Sequence, residues 1–382
     1  MSKKRTIDAY FSLPKGKKPR EDDSLQDKPT ISSVDSHSLG VPESTDLVKT
    51  TEHRSQEGYS MHPSYPFPIP HLPNYLKLEV SGPPARPGRA IADQPNLDLL
   101  YFQPYISRPA ARQLFEFLRS ELPFYRVEYE IMRGGTKRPI RTPRWTTVFG
   151  IDETASFTDD LPDKPSPYGT NRASGGNVVD SRTGKHVVYK ATPRPIPQCL
   201  DVLRKSTEAA AGSRFNFCLV NYYASGADSI SYHSDDERFL GPLPAIASFS
   251  LGAPRDFLMK HKTPTTGRKD ASSDEPVKGS LKLPLTNGDM VLMRGKTQAN
   301  WVHKIPKRSG KNENDAGRIN ITFRRALVKG GTENYYQYNV GNGPVYKWSA
   351  DDQKMKPWIK SSNAADTGIP SSMPSNASIM VD

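Results

Sequence analysis

The chain has 382 residues, 35 of them proline, with a hydrophobic share of 35% and a formal charge of +12. That length accommodates one large domain or two small ones, and the scarcity of apolar residues toward both ends favours one domain with polar tails. No run of about eighteen apolar residues and no signal-peptide pattern occurs, which argues against a helical membrane span and predicts a cytosolic or nuclear protein. The positive charge points instead to a polyanionic partner, with nucleic acid first.

The first twenty residues pair Lys3, Lys4 and Arg5 with Lys15, Lys17, Lys18 and Arg20, the spacing of a two-part nuclear localisation signal or of a solvated basic tail. Between the clusters, Ile7, Tyr10 and Phe11 stand at i, i+3 and i+4, on one side of a single helical turn. IDAYF resembles the peptide by which replication and repair proteins dock on the DNA sliding clamp, although Lys4 stands where that motif usually has Gln. Residues 21 to about 85 show no sustained apolar period and read as disordered, with SYPFPIPHLPNY extended and able to pack on the core. The expected organisation is a disordered region over 1–90, a folded domain over 91–348, and a disordered tail over 349–382.

Within the domain, LDLLYFQPYI predicts a strand, followed by a helix capped by Ser107 with Leu114, Phe115, Leu118 and Leu122 on one face. FYRVEYEIM and TPRWTTVFG are expected to form the two arms of a hairpin around Gly134 and Gly135. Residues 157–186 predict a long loop or lid, and Pro195 to Ala211 a second helix ending at Gly212. Cys199 and Cys218 lack CxxC spacing and read as packed thiols in a reducing compartment. From Phe215 to Leu327 come short β-like runs separated by turns: FNFCLVNYY, IASFSLG, RDFLMKH, SLKLPL, GDMVLMRG and RINITFRRAL. The fold class is therefore mainly β with flanking helices, a sandwich or barrel in which a jelly roll would bring distant strands together.

Chemistry concentrates in FNFCLVNYYASGADSISYHSDDE. His233 and Asp235 are two apart on an extended segment and point to the same side. With His303 of NWVHKIPK returning on a distant strand, they form the two-His, one-carboxylate face that leaves positions open on Fe(II). RINITFRRAL has one polar face, Arg318, Asn320, Thr322 and Arg324, opposite Ile319, Ile321 and Phe323. Two arginine forks suit a dicarboxylate co-substrate. Asn221 and Tyr223, ending the apolar face of their strand, need polar partners.

These residues carry a resemblance. From about Asn96 to Leu327 the sequence resembles the AlkB family of Fe(II)- and 2-oxoglutarate-dependent nucleic-acid dealkylases. The match runs through Asn221-x-Tyr223-x-x-Gly226, HSDDE, SLGxxRDF, GDMVLM, WVHKIPK and RINITFR. The resemblance implies a double-stranded β-helix (jelly-roll) dioxygenase core with iron on His233, Asp235 and His303. It further implies 2-oxoglutarate held by Arg318 and Arg324, with Asn221, Tyr223, Asn320 and Thr322 around it. The implied activity consumes O2 and 2-oxoglutarate and removes N-methyl groups, from 1-methyladenine and 3-methylcytosine in DNA, as formaldehyde. RNA demethylation, protein hydroxylation and a non-catalytic nucleic-acid-binding module stand as alternatives, and the protein is expected to be a nuclear monomer.

A methylated base reaches a buried iron only when unstacked. The resemblance gives His233 as one wall of the base pocket; Tyr189 is expected as the other, with Phe157 second, and Asp236 and Glu237 as readers of an exocyclic amino group. Ile131 and Met132 stand at the hairpin tip among Arg133, Lys137, Arg138, Arg141 and Arg144, apolar wedges flanked by phosphate-binding cations. This hairpin resembles the finger of the duplex-DNA branch, whereas HSDDE followed by GKTQANW resembles the branch preferring single strands and RNA.

Overall fold

The structure, a computed structural model, describes residues 58–133, 135–158, 178–262, 280–308 and 317–360. The basic clusters, the Ile7, Tyr10 and Phe11 peptide and residues 361–382 lie outside the described residues, as do the side chains of Ile131 and Arg133.

In chain order the helices and strands that matter here are α1 (Asn74–Ser81), β1 (Arg89–Ile91), β2 (Leu99–Phe102), α2 (Arg108–Glu121), β3 (Glu128–Arg133), β4 (Thr136–Arg141) and β5 (Trp145–Gly150). They continue with β6 (Ala155–Phe157), β7 (Val178–Asp180), α3 (Gln198–Ala211), β8 (Phe217–Tyr223), β9 (Ile230–His233), β10 (Ile246–Gly252) and β11 (Arg255–His261). The last are β12 (Leu281–Leu285), β13 (Asp289–Met293), β14 (Trp301–Ile305), β15 (Arg318–Arg324), α4 (Glu333–Asn339), β16 (Tyr346–Ser349) and β17 (Lys354–Pro357). None of the described helices is long and apolar enough to cross a membrane.

Two antiparallel sheets make a jelly roll. The larger runs β1-β2-β13-β10-β15-β8-β5 and the smaller β9-β14-β11-β12. Period-two alternation decides what each face meets. On β15, Ile319, Ile321 and Phe323 join the core formed with α2 and α3, which also takes Leu114, Leu118, Leu200 and Phe249. A second core between the sheets takes Tyr223, Phe257, Met259, Trp301 and Ile305. The polar residues of β15 are left facing the smaller sheet, buried all the same. A buried polar strand face is tolerated only when its groups find partners, and it is here that the site forms.

Five expectations change. Packing begins at Ser60 rather than near residue 91: Tyr65, Ile69, Leu72, Leu76 and Val80 are buried in the main core. At the other end β16 and β17 pair, so the expected boundary at 349 falls inside a hairpin. The partner of β3 is TKRPIR, not WTTVFG; β5 instead pairs with β8 as the edge of the large sheet. The expected lid over 157–186 starts at the end of β6 and includes β7, which pairs with it, Ala155 facing Asp180 and Phe157 facing Val178. Ser107 does precede α2, but its hydroxyl donates to Glu79 Oε2 rather than capping the helix.

Gly150 ends β5 at φ +98°, where an added Cβ would lie 2.1 Å from the Asn216 carbonyl oxygen and 2.8 Å from Phe217 Cα. Both obstacles are backbone at the start of the neighbouring strand β8. Gly150→Ala is therefore expected to destabilise the fold by about 3 kcal/mol, from a disfavoured φ plus the clash, measurable as a lower urea midpoint with unchanged slope.

Candidate active site

His233 closes β9 and pairs directly with His303 of β14, which sets the two imidazoles 4.3 Å apart, centroid to centroid. Asp235 follows in the loop, its backbone N–H donating to Gln298 Oε1 at 2.9 Å. Its Oδ1 lies 4.0 Å from His233 Nε2 and its Oδ2 4.0 Å from His303 Nε2, too long for hydrogen bonds. One ligand atom from each of the three residues lies within 4.8 Å of the other two, the one such group among the described residues. His233 Nδ1 is 2.9 Å from the Ser231 carbonyl, which accepts only; Nδ1 therefore donates and Nε2 keeps its lone pair for a metal.

The electrostatics favour the ligating forms. Burial lowers both histidine pKa values, with His303 at about 3 because His233 adds to the effect. Both imidazoles are neutral at physiological pH. Burial alone would raise the Asp235 carboxyl, but Arg324, then His233 and His303, outweigh it and hold it well below the usual carboxylate range. Two neutral nitrogens and one carboxylate make a donor set suited to Fe(II).

The polar face of β15 lies beside this triad. Arg318 is buried, donates from Nε to Ser250 Oγ at 2.8 Å, and sits 5.2 Å from the Tyr223 ring centre. Burial pulls its pKa down to about 10, and its Nη1 is buried without a partner. Asn320 Nδ2 donates to Ser248 Oγ and the Phe249 carbonyl, and its Oδ1 accepts from Asn221 Nδ2. Thr322 Oγ1 is committed to the Leu219 carbonyl at 3.1 Å. Arg324 differs from expectation: its Nη2 donates to Asp235 Oδ2 at 2.9 Å, so it grips the carboxylate ligand itself, while its Nε and Nη1 remain buried without partners. Unpaired buried guanidinium N–H groups are costly. An anionic co-substrate with planar carboxylates would satisfy them, and the residues present fit 2-oxoglutarate on that ground.

The residues expected to meet the base divide. Tyr189 donates its hydroxyl to Asp152 Oδ2 at 2.9 Å and packs with Phe157 in a small cluster containing Ile151 and Val178. Phe157 is buried and offers no stacking wall, while Tyr189 is engaged at its hydroxyl and only partly buried at its ring. Asp236 accepts from Lys262 Nζ at 2.6 Å and from Ser234 Oγ at 2.9 Å. Glu237 turns inward: Oε1 accepts from the Tyr335 hydroxyl at 2.5 Å, Oε2 is buried without a partner, and burial with the nearby Asp235 charge pushes its pKa to about 7. Met132 is 62% exposed on the β3–β4 hairpin, whose Lys137 and Arg141 pair with Glu130 and Glu128. Arg144 is drawn inward, its Nε donating to Asn221 Oδ1 at 2.7 Å. In the motif Asn221-x-Tyr223-x-x-Gly226 the glycine makes room for a crossing chain: a Cβ there would lie 2.8 Å from the Arg308 carbonyl oxygen.

Sequence reasoning missed Gln298, Ser248, Ser250 and Tyr335. The serines carried a signal, since they alternate with Ala247 and Phe249 onto the polar side of IASFSLG. Tyr335 carried none.

The sequence model described as 2OG-Fe(II) oxygenase superfamily matches residues 98–324. DNA oxidative demethylase ALKBH2 of Arabidopsis thaliana is 38% identical over 143 residues, covering 35% of this chain and 44% of that protein. Alpha-ketoglutarate-dependent dioxygenase alkB homolog 3 of Rattus norvegicus is 41% identical over 138 residues, covering 35% and 44%. The matched segment thus spans less than half the length of these curated relatives. The solved structure of OsALKBH1 aligns over 62% of this chain and 100% of that one, at 16% identity and a TM-score of 0.32, too low to bear on the argument. The family match extends over more than half of the chain and takes in all three candidate iron ligands and both arginines of β15; the chain belongs to the 2OG-Fe(II) oxygenase superfamily.

Proposed function

We propose that this protein is an oxidative demethylase of N-methylated bases in DNA, 1-methyladenine and 3-methylcytosine, acting in direct-reversal repair. The observation that carries the substrate class is Glu237 Oε2, a buried acceptor without a partner two residues from the metal carboxylate. Both bases bear an exocyclic amino group that would donate to it. Asp236, engaged with Lys262 and Ser234, is the lesser candidate. The names of the alignable relatives, a DNA oxidative demethylase among them, support the same reading.

When bound, iron and 2-oxoglutarate supply dioxygen activation coupled to decarboxylation, and the hydroxylated methyl group leaves as formaldehyde. The protein's own contribution is placement. His233, Asp235 and His303 would hold the metal with positions open; Arg318 would bind a co-substrate carboxylate; Arg324 would orient Asp235 and offer its remaining N–H groups to the co-substrate. His233, partly exposed beside the open positions, would form one wall for the flipped base. The basic clusters at the N-terminus support a nuclear location, and Ile7, Tyr10 and Phe11 a sliding-clamp contact.

The test is to incubate the protein with Fe(II), ascorbate, 2-oxoglutarate and oligonucleotides carrying one methylated base, and to follow the base by mass spectrometry. Demethylation of DNA is expected; turnover on RNA or peptide alone would overturn the reading. The exposed Met132 adds a second expectation. Met132→Ala should lower kcat/KM on duplexes about tenfold relative to single strands, because only the duplex requires a wedge to unstack the base. An unchanged ratio removes the hairpin from that role.

A further inference from the structure

We infer that Tyr335 is a positioning residue for base recognition: its hydroxyl fixes one oxygen of Glu237 so that the other faces the exocyclic amino group of the methylated base. The inference rests on the demethylase reading. It concerns an element, α4, that begins beyond the segment matched by the family model.

The contacts specify the role. The Tyr335 hydroxyl donates to Glu237 Oε1 at 2.5 Å, across 98 residues of sequence, leaving Oε2 as the buried oxygen without a partner. The ring is held on several sides. Phe217 meets it edge-on at 5.2 Å and Phe239 at 5.8 Å, and the Arg324 guanidinium carbon sits 5.2 Å from its centre. The helix beneath is itself tied to the sheet. Tyr336 donates its hydroxyl to the Gly150 carbonyl at 2.7 Å and accepts the Arg194 N–H at 2.9 Å, and the Asn339 carbonyl accepts from Thr146 Oγ1 at 2.6 Å. A hydrogen-bond donor mounted this rigidly selects one carboxylate orientation among several, which is how a supporting side chain raises specificity. Without the hydroxyl, Glu237 competes with the co-substrate for Arg324, which is stacked on the same ring and has Nε and Nη1 unpaired. A released carboxylate that turns to Arg324 no longer reads the base.

Two bases separate this role from general support of the fold. 3-Methylcytosine presents an amino group at the position where 3-methylthymine presents a carbonyl oxygen, so only the former needs a fixed acceptor. Full-length wild type, Tyr335→Phe, Glu237→Gln and the double variant are compared on single-stranded oligonucleotides carrying either base. The readouts are kcat/KM, equilibrium binding to the metal-free protein by fluorescence anisotropy, and thermal unfolding. Phenylalanine keeps the ring and its stacking, so the unfolding midpoint should stay near that of wild type. Tyr335→Phe should lower kcat/KM for 3-methylcytosine about tenfold, chiefly through KM, and weaken binding of that oligonucleotide in proportion. 3-Methylthymine should change less than about twofold, within the scatter expected when no contact is lost. Adding Tyr335→Phe to Glu237→Gln should cost nothing further. Equal losses on the two bases, or an additive loss in the double variant, overturn the role of Tyr335. Wild type that turns over neither oligonucleotide overturns the demethylase reading instead, and the binding ratio of the two oligonucleotides still decides for or against Tyr335.

Discussion

Asp235→Asn is expected to lose iron and turnover together, and to weaken the metal-free fold as well. The first effect follows from charge. Two neutral imidazoles and a neutral amide leave a dication without its only anionic protein ligand, and a loss well beyond the roughly 10- to 100-fold typical of outer-shell substitutions is expected. The second follows from Arg324. Its guanidinium is buried, its Nη2 is bonded to Asp235 Oδ2, and its charge is the main influence holding that carboxyl ionised against burial. Removing one charge of a buried pair typically costs about 3–5 kcal/mol, because the remaining charge stays behind. An amide oxygen still accepts a hydrogen bond, so the lower end of that range applies. Anaerobic titration with Fe(II) and urea unfolding of the metal-free protein measure the two effects separately. A variant that loads iron like wild type removes Asp235 from the ligand set; one that loses iron with an unchanged urea midpoint removes the structural role of the Arg324 pair.

What the sequence disclosed, and what it concealed, follows the range of the interactions. His233-x-Asp235 and the alternation of RINITFR are local patterns, and period-two geometry is enough to place those side chains on one face. The apposition of His303 with His233 depends on strand register across 70 residues; the need for a third ligand made His303 a candidate, and the extended family pattern supported it, but no local period fixes the pairing. Residues 60–90 show the opposite case. Tyr65, Ile69, Leu72, Leu76 and Val80 are interspersed with prolines and charges, so no period emerges, yet each fills the core beside α2 and α3. TKRPIR resisted prediction because its side chains are largely exposed and Pro139 interrupts it, leaving no apolar alternation to read. Arg324 was placed on the correct face from its position alone. Its bond to Asp235 could not be read there, since period fixes direction and not partner. Tyr335 lies furthest from inference, a long-range hydroxyl contact from a short helix with no distinguishing pattern.

Arg318→Ala should act on the co-substrate and leave the metal in place. Arg318 makes no hydrogen bond to the triad; its side chain meets Ser250 and the Tyr223 ring, with Nη1 unpaired. A charge-assisted hydrogen bond is worth about 1.5–3 kcal/mol, so the 2-oxoglutarate concentration for half-maximal succinate release should rise roughly 10- to 150-fold. Turnover at saturating co-substrate should fall much less, because an interaction made equally in the ground and transition states raises KM and spares kcat. Arg318→Lys should recover only part of the loss: a point charge replaces the field of the guanidinium but not its two-pronged fork. Fe(II) affinity measured without co-substrate should match wild type in both variants. This contrast gives the experiment its force, because Asp235→Asn fails at the metal whatever the 2-oxoglutarate concentration, whereas Arg318→Ala is rescued by raising it. An unchanged 2-oxoglutarate requirement would reassign Arg318 to the fold, where its stacking on Tyr223 and its bond to Ser250 would be its whole role.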